Sequence, residues 1–400
     1  MKILSRWVKR SISQEVFRKR IRRLLRIYLN IYDDICMRCN LCVSTCPSHK
    51  VIKDFNPRKR VDSARRVLKG EYKRGDIDLL FTCLLCGSCK ISCPFSLDIP
   101  EIVYLARSLL ALEGEAPEDL VKIYFKAERE GNSFGISREK IDKIISETSK
   151  IASEEKPREL YVPGPLDISL YEDVFINNCE LLREMRIRWT VSSEAVELGG
   201  NIGIDMSRPD LGLKILNNVL REAEKMNIKK IIIGDCGADY KWLIYSQRFF
   251  PDLIYKPSYN IEFVSIYELF MRSFSRYIKR RDVAIHDPCS MTRIAGLERS
   301  YLKLFEKPNK PLNNGLYTLC CGAGGGLSIR RDNDSLSKKL MNEISCLRLR
   351  QLIRSSEDIK MITSPCIKCL TAFLTASLYI GYEYEIEPLS NILLKCVKNV

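Results

Sequence analysis

Between residues 36 and 93 the chain carries one cysteine pattern twice, and its spacing limits what this stretch can become. The first copy reads Cys36-Met-Arg-Cys39-Asn-Leu-Cys42-Val-Ser-Thr-Cys46-Pro47, and the second reads Cys83-Leu-Leu-Cys86-Gly-Ser-Cys89-Lys-Ile-Ser-Cys93-Pro94. In this pattern three close thiolates wrap one corner of an iron–sulfur cubane, and the fourth, turned away by proline, reaches the other cluster. The spacing assigns Cys36, Cys39, Cys42 and Cys93 to one [4Fe–4S] cluster, and Cys83, Cys86, Cys89 and Cys46 to a second. Paired CxxC units also suit zinc. Zinc, however, needs four ligands and no repeated triple followed by proline.

Four hundred residues exceed the ~100–200 of a usual domain, and 46% hydrophobic residues allow sizeable cores. No apolar run approaches the roughly 18–20 residues of a membrane span; the longest candidate, Leu370 to Ile380, is too short. Charges interrupt every apolar stretch at the N-terminus, unlike a signal peptide. Seventeen cysteines without an export signal point to reduced thiols, metal ligation and a cytoplasmic location.

The net charge of +15 is local: residues 1–30 hold ten Lys/Arg against the single acid Glu15, a balance of +9. That argues against a nucleic-acid-binding protein. In the same segment Ile3, Leu4, Trp7, Val8, Ile12, Val16, Phe17, Ile21, Leu24, Leu25, Tyr28 and Leu29 form one helical stripe opposite the arginines. Three readings stay open for this basic amphipathic helix: packing on the protein's own body, docking on a partner subunit, or peripheral contact with the inner face of the cell membrane.

Further along, a helix is expected around Val61–Leu68, and another after Asp98, with Asp98 as its cap and Pro100 and Glu101 in its first turn, through about Ala111. Glu113 to Lys156 reads as connecting helices broken at Gly131–Gly135. From about Glu159, short β-branched runs at Ile187–Val191, Ile231–Gly234, Ile261–Ile266, Val283–Ile285 and Met361–Thr363 alternate with helical stretches such as Leu211–Lys225 and Leu336–Arg354. That alternation predicts α/β units with a largely parallel sheet. The expected divisions are 1–30, the basic helix; 31–112, the two-cluster domain; 113–158, a helical connector; and two α/β repeats at 159–275 and 276–400.

In the last part cysteines regroup as Ile285-His-Asp-Pro-Cys289, Leu319-Cys320-Cys321-Gly322 and Ser364-Pro-Cys366-Ile-Lys-Cys369. Each group follows a strand end, where loops of an α/β fold converge, so five thiols from three loops can meet at one crevice. Glycines 322, 324, 325 and 326 let backbone approach a cluster, sulfide or substrate.

These motifs closely resemble the cysteine-rich CCG domain of the heterodisulfide reductase superfamily, over residues 31–400. The order, a ferredoxin-type dicluster and then two CCG repeats, looks like the D subunit of heterodisulfide reductase; glycolate oxidase iron–sulfur subunits and the C subunit of anaerobic glycerol-3-phosphate dehydrogenase share it. The resemblance implies an α+β multidomain chain: a helical ferredoxin-type two-cluster domain, then two CCG-type repeats with mainly parallel sheets. It also implies that Cys289, Cys320, Cys321, Cys366 and Cys369 hold a third, non-cubane iron–sulfur centre that works on a disulfide or passes electrons.

The first repeat departs from the family pattern. Val162-Pro-Gly-Pro165, Glu197-Leu-Gly-Gly200 and Gly234-Asp-Cys236-Gly-Ala-Asp239 stand at the three motif positions, and only Cys236 is a thiol, with Asp239 beside it. One thiolate and one carboxylate cannot hold an iron–sulfur cluster, so the first repeat is expected to be structural. His286 has two readings, a proton donor to a leaving thiolate or a neutral strand-end histidine bonded to backbone. Lys368 either favours nearby thiolates or faces water. Cys179 and Cys346 read as core residues.

The sequence thus points to an iron–sulfur oxidoreductase subunit that relays electrons to or from a centre acting on a small disulfide or dithiol. The alternatives are the relay subunit of a flavin-dependent 2-hydroxy-acid or glycerol-3-phosphate dehydrogenase passing electrons to quinone, and a non-catalytic metal-binding module. No G-x-G-x-x-G follows a strand, so hydride chemistry falls to a partner flavoprotein, or electrons to a membrane cytochrome or quinone-reactive subunit.

Overall fold

A computed structural model describes residues 12–152, 155–297, 299–309, 311–330, 335–381 and 384–398. The chain begins there with the Ile12–Ile35 helix, which runs beyond residue 30 to the first cluster cysteine. Phe17, Ile21, Leu25, Leu29 and Tyr32, at steps of three and four, are all buried. Phe17 packs on Phe250 with ring centroids 5.3 Å apart. Arg20 pairs with Asp252, and Arg22 with Glu113. For this part of the stripe the intramolecular reading holds; Ile3, Leu4, Trp7 and Val8 lie outside the described residues.

The helix rests on Ile99–Glu113, of which every residue through Leu112 is buried. A helix apolar nearly all round belongs at the centre of a protein, and this one contacts the dicluster loops on one side and the first α/β repeat on the other. Tyr104 donates to the Gly203 carbonyl at 3.1 Å. Asp98 occupies the capping position but makes no side-chain cap. Its carboxylate is taken instead by Lys90 and Arg248, because ion pairs across the fold outcompete a single main-chain N–H. The expected helix at Val61–Leu68 spans Pro57–Lys69, with Asn56 as its side-chain cap. Two connecting helices, Glu118–Glu130 and Arg138–Ser149, flank the break after Gly131.

Two parallel sheets follow. The first has the order β2-β1-β3-β4, from Trp189–Thr190, Glu159–Val162, Lys230–Ile233 and Glu262–Ser265. The second has the order β5-β6-β7, from Val283–Ile285, Met361–Thr363 and Glu385–Ile386. A parallel bridge from Ala284 to Asn309 stands where β2 stands in the first sheet. In each repeat the central strand runs straight into a helix, Gly237–Phe249 after β3 and Ile367–Ile380 after β6. The architecture is α+β, a helical two-cluster region followed by two small parallel-sheet repeats. Among the described residues no helix is long and apolar enough to cross a membrane.

Candidate redox centres

The short helices Leu41–Ser44 and Ser88–Ile91 are each entered through a left-handed residue, Asn40 and Gly87. This tight entry turns successive thiols inward. Cys36, Cys39, Cys42 and Cys93 line one cavity. Cys46, Cys83, Cys86 and Cys89 line another. The fourth cysteine of each motif therefore lines the same cavity as the other motif's triple. Four soft donors around one space fit a [4Fe–4S] cluster in both places.

The two sites differ in exposure. Cys39 is exposed, with Met37 and Phe95 beside it 74% and 50% accessible, so the first site opens to solvent. Cys46 and Cys86 are buried. Arg60, itself buried, donates to Cys46 Sγ at 3.5 Å and to the Thr82 carbonyl at 3.2 Å.

The five C-terminal thiols converge and continue the series. Cys320 neighbours Cys289, Cys321 and the dicluster residue Cys86, close enough that they perturb its titration. Cys321 meets Cys369 and His286, and Cys369 meets Cys366. Donor atoms of His286, Cys321 and Cys369 all lie within 4.8 Å of one another. The contact with Cys320, helped by Arg293 and Lys241, lowers Cys86 to about 6. Hydrogen bonds from Cys320 and Cys369 likewise hold Cys321 below the ordinary thiol value. Several soft sulfur donors gathered from three loops suit iron and sulfide, so this donor set also fits an iron–sulfur centre.

His286 is fully buried, and its Nδ1 accepts from Arg348 Nε at 3.1 Å. That bond leaves Nε2 as the proton-bearing nitrogen, buried and with no hydrogen-bond partner among the described residues. Burial, joined by the Arg348 guanidinium, keeps the ring below its usual pKa. The imidazole is thus neutral, and its main-chain N–H donates to the Thr363 carbonyl at 2.8 Å. Lys368 does not face water: it is buried and bonded to Asp205 Oδ2 at 2.5 Å and Asn201 Oδ1 at 2.9 Å, both from the first repeat. Cys179 and Cys346 pack in apolar clusters.

Residues the sequence did not single out join these pieces. Arg107 donates to the carbonyls of Cys83 at 3.1 Å and Gly325 at 3.0 Å. Arg293 donates to the carbonyls of Cys86 at 2.7 Å and Leu316 at 2.8 Å. Buried arginines spanning far-apart loops carry no local signature. The glycine run also serves a purpose of its own: a Cβ on Gly325 (φ +63°) would lie 2.0 Å from the Cys83 carbonyl oxygen. The loop is pressed against the dicluster main chain.

The corresponding space in the first repeat is closed. A Cβ on Gly200 would come 2.3 Å from the Ala238 carbonyl, so the two loops that would flank a cluster touch each other. Cys236 is buried, with the Asn201 amide at 3.5 Å. Asp239 accepts from Gly200 N at 2.7 Å. Both oxygens of Asp167 and one each of Glu197, Asp235 and Asp239 have no hydrogen-bond partner among the described residues. These residues do not fit an iron–sulfur group.

Comparison with known proteins agrees with this division. Residues 33–97 match the 4Fe-4S dicluster domain, and residues 283–373 match the cysteine-rich domain called CCG. The chain is 23% identical to the Hdr-like menaquinol oxidoreductase iron-sulfur subunit of Archaeoglobus profundus, over 84% of this chain and 74% of that protein. It is 25% identical to one of the subunits of the fumarate reductase (CoM/CoB) of Methanothermobacter marburgensis, over 80% of this chain and 65% of that one. A shorter match, 27% identical over 20% of this chain and 21% of the other, is to the glycolate oxidase iron-sulfur subunit of Escherichia coli. The dicluster and CCG domains and these relatives match the heterodisulfide-reductase-like family that the sequence resembles, and support an iron–sulfur electron-transfer oxidoreductase subunit.

Proposed function

We propose that the chain relays electrons through two [4Fe–4S] clusters to or from a non-cubane iron–sulfur centre that acts on a disulfide or dithiol. The observation that carries this reading is the contact of Cys86 with Cys320, which joins the buried dicluster site to the C-terminal thiols. When bound, the iron–sulfur groups supply electrons one at a time. Reduction of R–S–S–R′ takes up two electrons and two protons, breaks one S–S bond and forms two S–H bonds; oxidation of the dithiol is the reverse. Cys289, Cys320, Cys321, Cys366 and Cys369 would hold the centre, and the neutral His286, with a ring nitrogen within 4.8 Å of Cys321 and Cys369, is placed to deliver a proton to a sulfur there.

A partner subunit supplies or collects the electrons at the open edge beside Met37, Cys39 and Phe95. A quinone-reactive or cytochrome subunit is favoured over a flavoprotein. Two of the relatives aligned over most of the chain are named as menaquinol oxidoreductase subunits, whereas the glycolate oxidase match spans only 20% of it.

The test is iron analysis with spectroscopy on anaerobically purified protein. The expected result is about eight iron atoms from the dicluster and about four more from the third centre. Cys93→Ser is expected to damage the cluster of Cys36, Cys39 and Cys42. About eight iron atoms in the intact chain would remove the third centre; damage confined to the cluster of Cys83, Cys86 and Cys89 would overturn the ligand exchange.

A further inference from the structure

The buried cysteine set differs from the exposed one in the charges that surround it. Among the described residues, Cys46, Cys83, Cys86 and Cys89 share their cavity with one charged side chain, Arg60, and with no carboxylate. Arg60 comes from the Pro57–Lys69 helix between the two motifs, and also donates to the Leu79 carbonyl at 3.0 Å. Two further guanidinium groups close on the same loop. Arg107, on the Ile99–Glu113 helix, holds the Cys83 carbonyl, and Arg293, in the turn after Cys289, holds the Cys86 carbonyl. A Cβ on Gly87 would lie 3.2 Å from Arg293 Cδ, so the stem of that side chain packs on the loop between Cys86 and Cys89.

None of these three arginines has a carboxylate partner among the described residues. Their N–H groups go to main-chain carbonyls and to Cys46 Sγ. Their exposure is 2% for Arg60, 0% for Arg107 and 9% for Arg293. Desolvation draws Arg107 down to about 10, which still leaves it charged at neutral pH. A fourth cation, Lys241, donates to the Leu85 carbonyl at 2.9 Å but shares Asp205 with Lys368. Buried charges without a counter-ion are costly, and carbonyl dipoles offset them only in part. The counter-ion that fits is the group the cavity would hold. An iron–sulfur cluster with four thiolates is negative, and each electron it accepts makes it more so.

The exposed set lacks such a ring. Arg38 and Arg58 line its cavity, but Arg38 is exposed and Arg58 bonds Asn40 Oδ1 at 2.7 Å at the surface, where water and salt screen both. Lys90, next to Cys89, is neutralised by Asp98 and Glu101.

We infer that Arg60, Arg107 and Arg293 set the reduction potential of the buried cluster, raising it so that an electron is held beside the C-terminal thiols. A fixed cation next to a group that gains negative charge on reduction favours the reduced form, and the low-dielectric surroundings leave that attraction weakly screened. One electron leaves the exposed site as one arrives at the buried site, so the partner that feeds the exposed edge is the only reductant needed. Because Arg293 belongs to the second repeat, one half of the chain helps to set the potential of a cluster that the other half ligates. The inference rests on the two-cluster reading above and not on the disulfide chemistry of the third centre.

The test is a redox titration of the full, iron-loaded chain, followed through the paramagnetic signals of the two cubanes. Cys39→Ser, which alters the ligands of the exposed site, identifies the signal that belongs to it. Arg60→Met and Arg293→Met remove charge at similar length. Each is expected to lower the reduction equilibrium constant of the buried cluster by about tenfold or more, a fall of about 59 mV for one electron. Iron content and the midpoint of the exposed cluster should stay as in the parent. Arg60→Lys and Arg293→Lys keep the charge but lose the planar fork, and are expected to retain most of the parent midpoint.

A midpoint that falls as far in the lysine variants as in the methionine variants would assign the effect to lost hydrogen bonds, and overturns the inference. So does a midpoint unmoved in the methionine variants with iron intact, or a fall shared equally by both clusters. If Arg60→Met takes up no iron, Arg293→Met carries the measurement, since its side chain reaches the loop from the second repeat and leaves both dicluster motifs untouched. A parent chain without two cubane signals overturns the two-cluster reading and this inference together. Two cubane signals that ignore the arginines overturn the inference alone.

Discussion

Cys366 and Cys236 stand at the same place in the two repeats, each just before the helix that follows a central parallel strand. Their surroundings are opposite. Cys366 is hydrogen-bonded to Cys369 and held below the ordinary thiol value by that contact. Cys236 has no thiol on its own loop; burial, and then Asp239, push it well above that value. Around it burial raises Asp239 and Asp235 to about 6 and Glu197 to about 8. A parallel-sheet repeat can hold its loop ends apart around soft donors, or let them close over buried acids. Which of these it does follows from the side chains, since the strand order and helix placement are shared.

The sharpest way to break this contrast is Cys321→Ser. Cys321 touches Cys320, Cys369 and His286, so its loss is expected to abolish disulfide turnover and the paramagnetic signal of the third centre. Both cubanes should stay reducible, with iron falling from about twelve to about eight per chain. A third signal that survives would show that the C-terminal thiols are not its ligands.

The next largest effect is expected at the seam between the repeats. Asp205 comes from the first repeat, is fully buried, and holds Lys368 of the second; Lys241 lies 3.9 Å away. Asp205→Asn strands two buried ammonium groups, which costs about 3–5 kcal/mol. Urea unfolding reads this directly, and a loss below about 1 kcal/mol would mean that water reaches the pair.

The carboxyl cluster predicts a pH dependence of definite sign. Glu197 sits at about 8 in the folded protein against an ordinary 4.5, chiefly through burial. Between those values the folded form keeps a proton that the unfolded chain has released, so stability is full below pH ~4.5 and falls as pH rises toward 8. Glu197→Gln, which cannot ionise, is expected to flatten that fall in urea midpoints taken from pH 5 to pH 8. A slope identical to that of the parent chain would put the Glu197 carboxylate in contact with water.

The smallest effect is expected from Cys236→Ser. Iron content, cluster signals and turnover should match the parent, since the adjoining loops leave no room for a cluster. Activity lost with both cubanes intact would give the first repeat a chemical role.

Much of this contrast is legible in the sequence because it is local. The doubled cysteine spacing, the loss of four of five motif thiols from the first repeat, and strands β5 and β6, read residue for residue at Val283–Ile285 and Met361–Thr363, are short-range patterns. β7, only Glu385–Ile386, is too short to show a period, and β1 merges into the Pro-Gly-Pro turn that follows it. Asp98 satisfies every local rule for a cap, yet Lys90 and Arg248 claim it from elsewhere in the fold. The contact of Cys86 with Cys320, the bridges of Arg107 and Arg293, and the pairing of Asp205 with Lys368 join segments far apart in the chain. No spacing rule encodes them.

The glycine loop has a consequence for how such a chain can be modular. Gly324 and Gly325 leave room for the carbonyls of Leu84 and Cys83 and for nothing larger. A ferredoxin-type module transplanted from elsewhere would have to bring carbonyls to those same points, or the loop bearing Cys320 and Cys321 would lose its backing. The unit that can be exchanged intact is therefore not the segment between two linkers. It is a pair of distant segments fitted to each other, and a working hybrid has to inherit both from one parent.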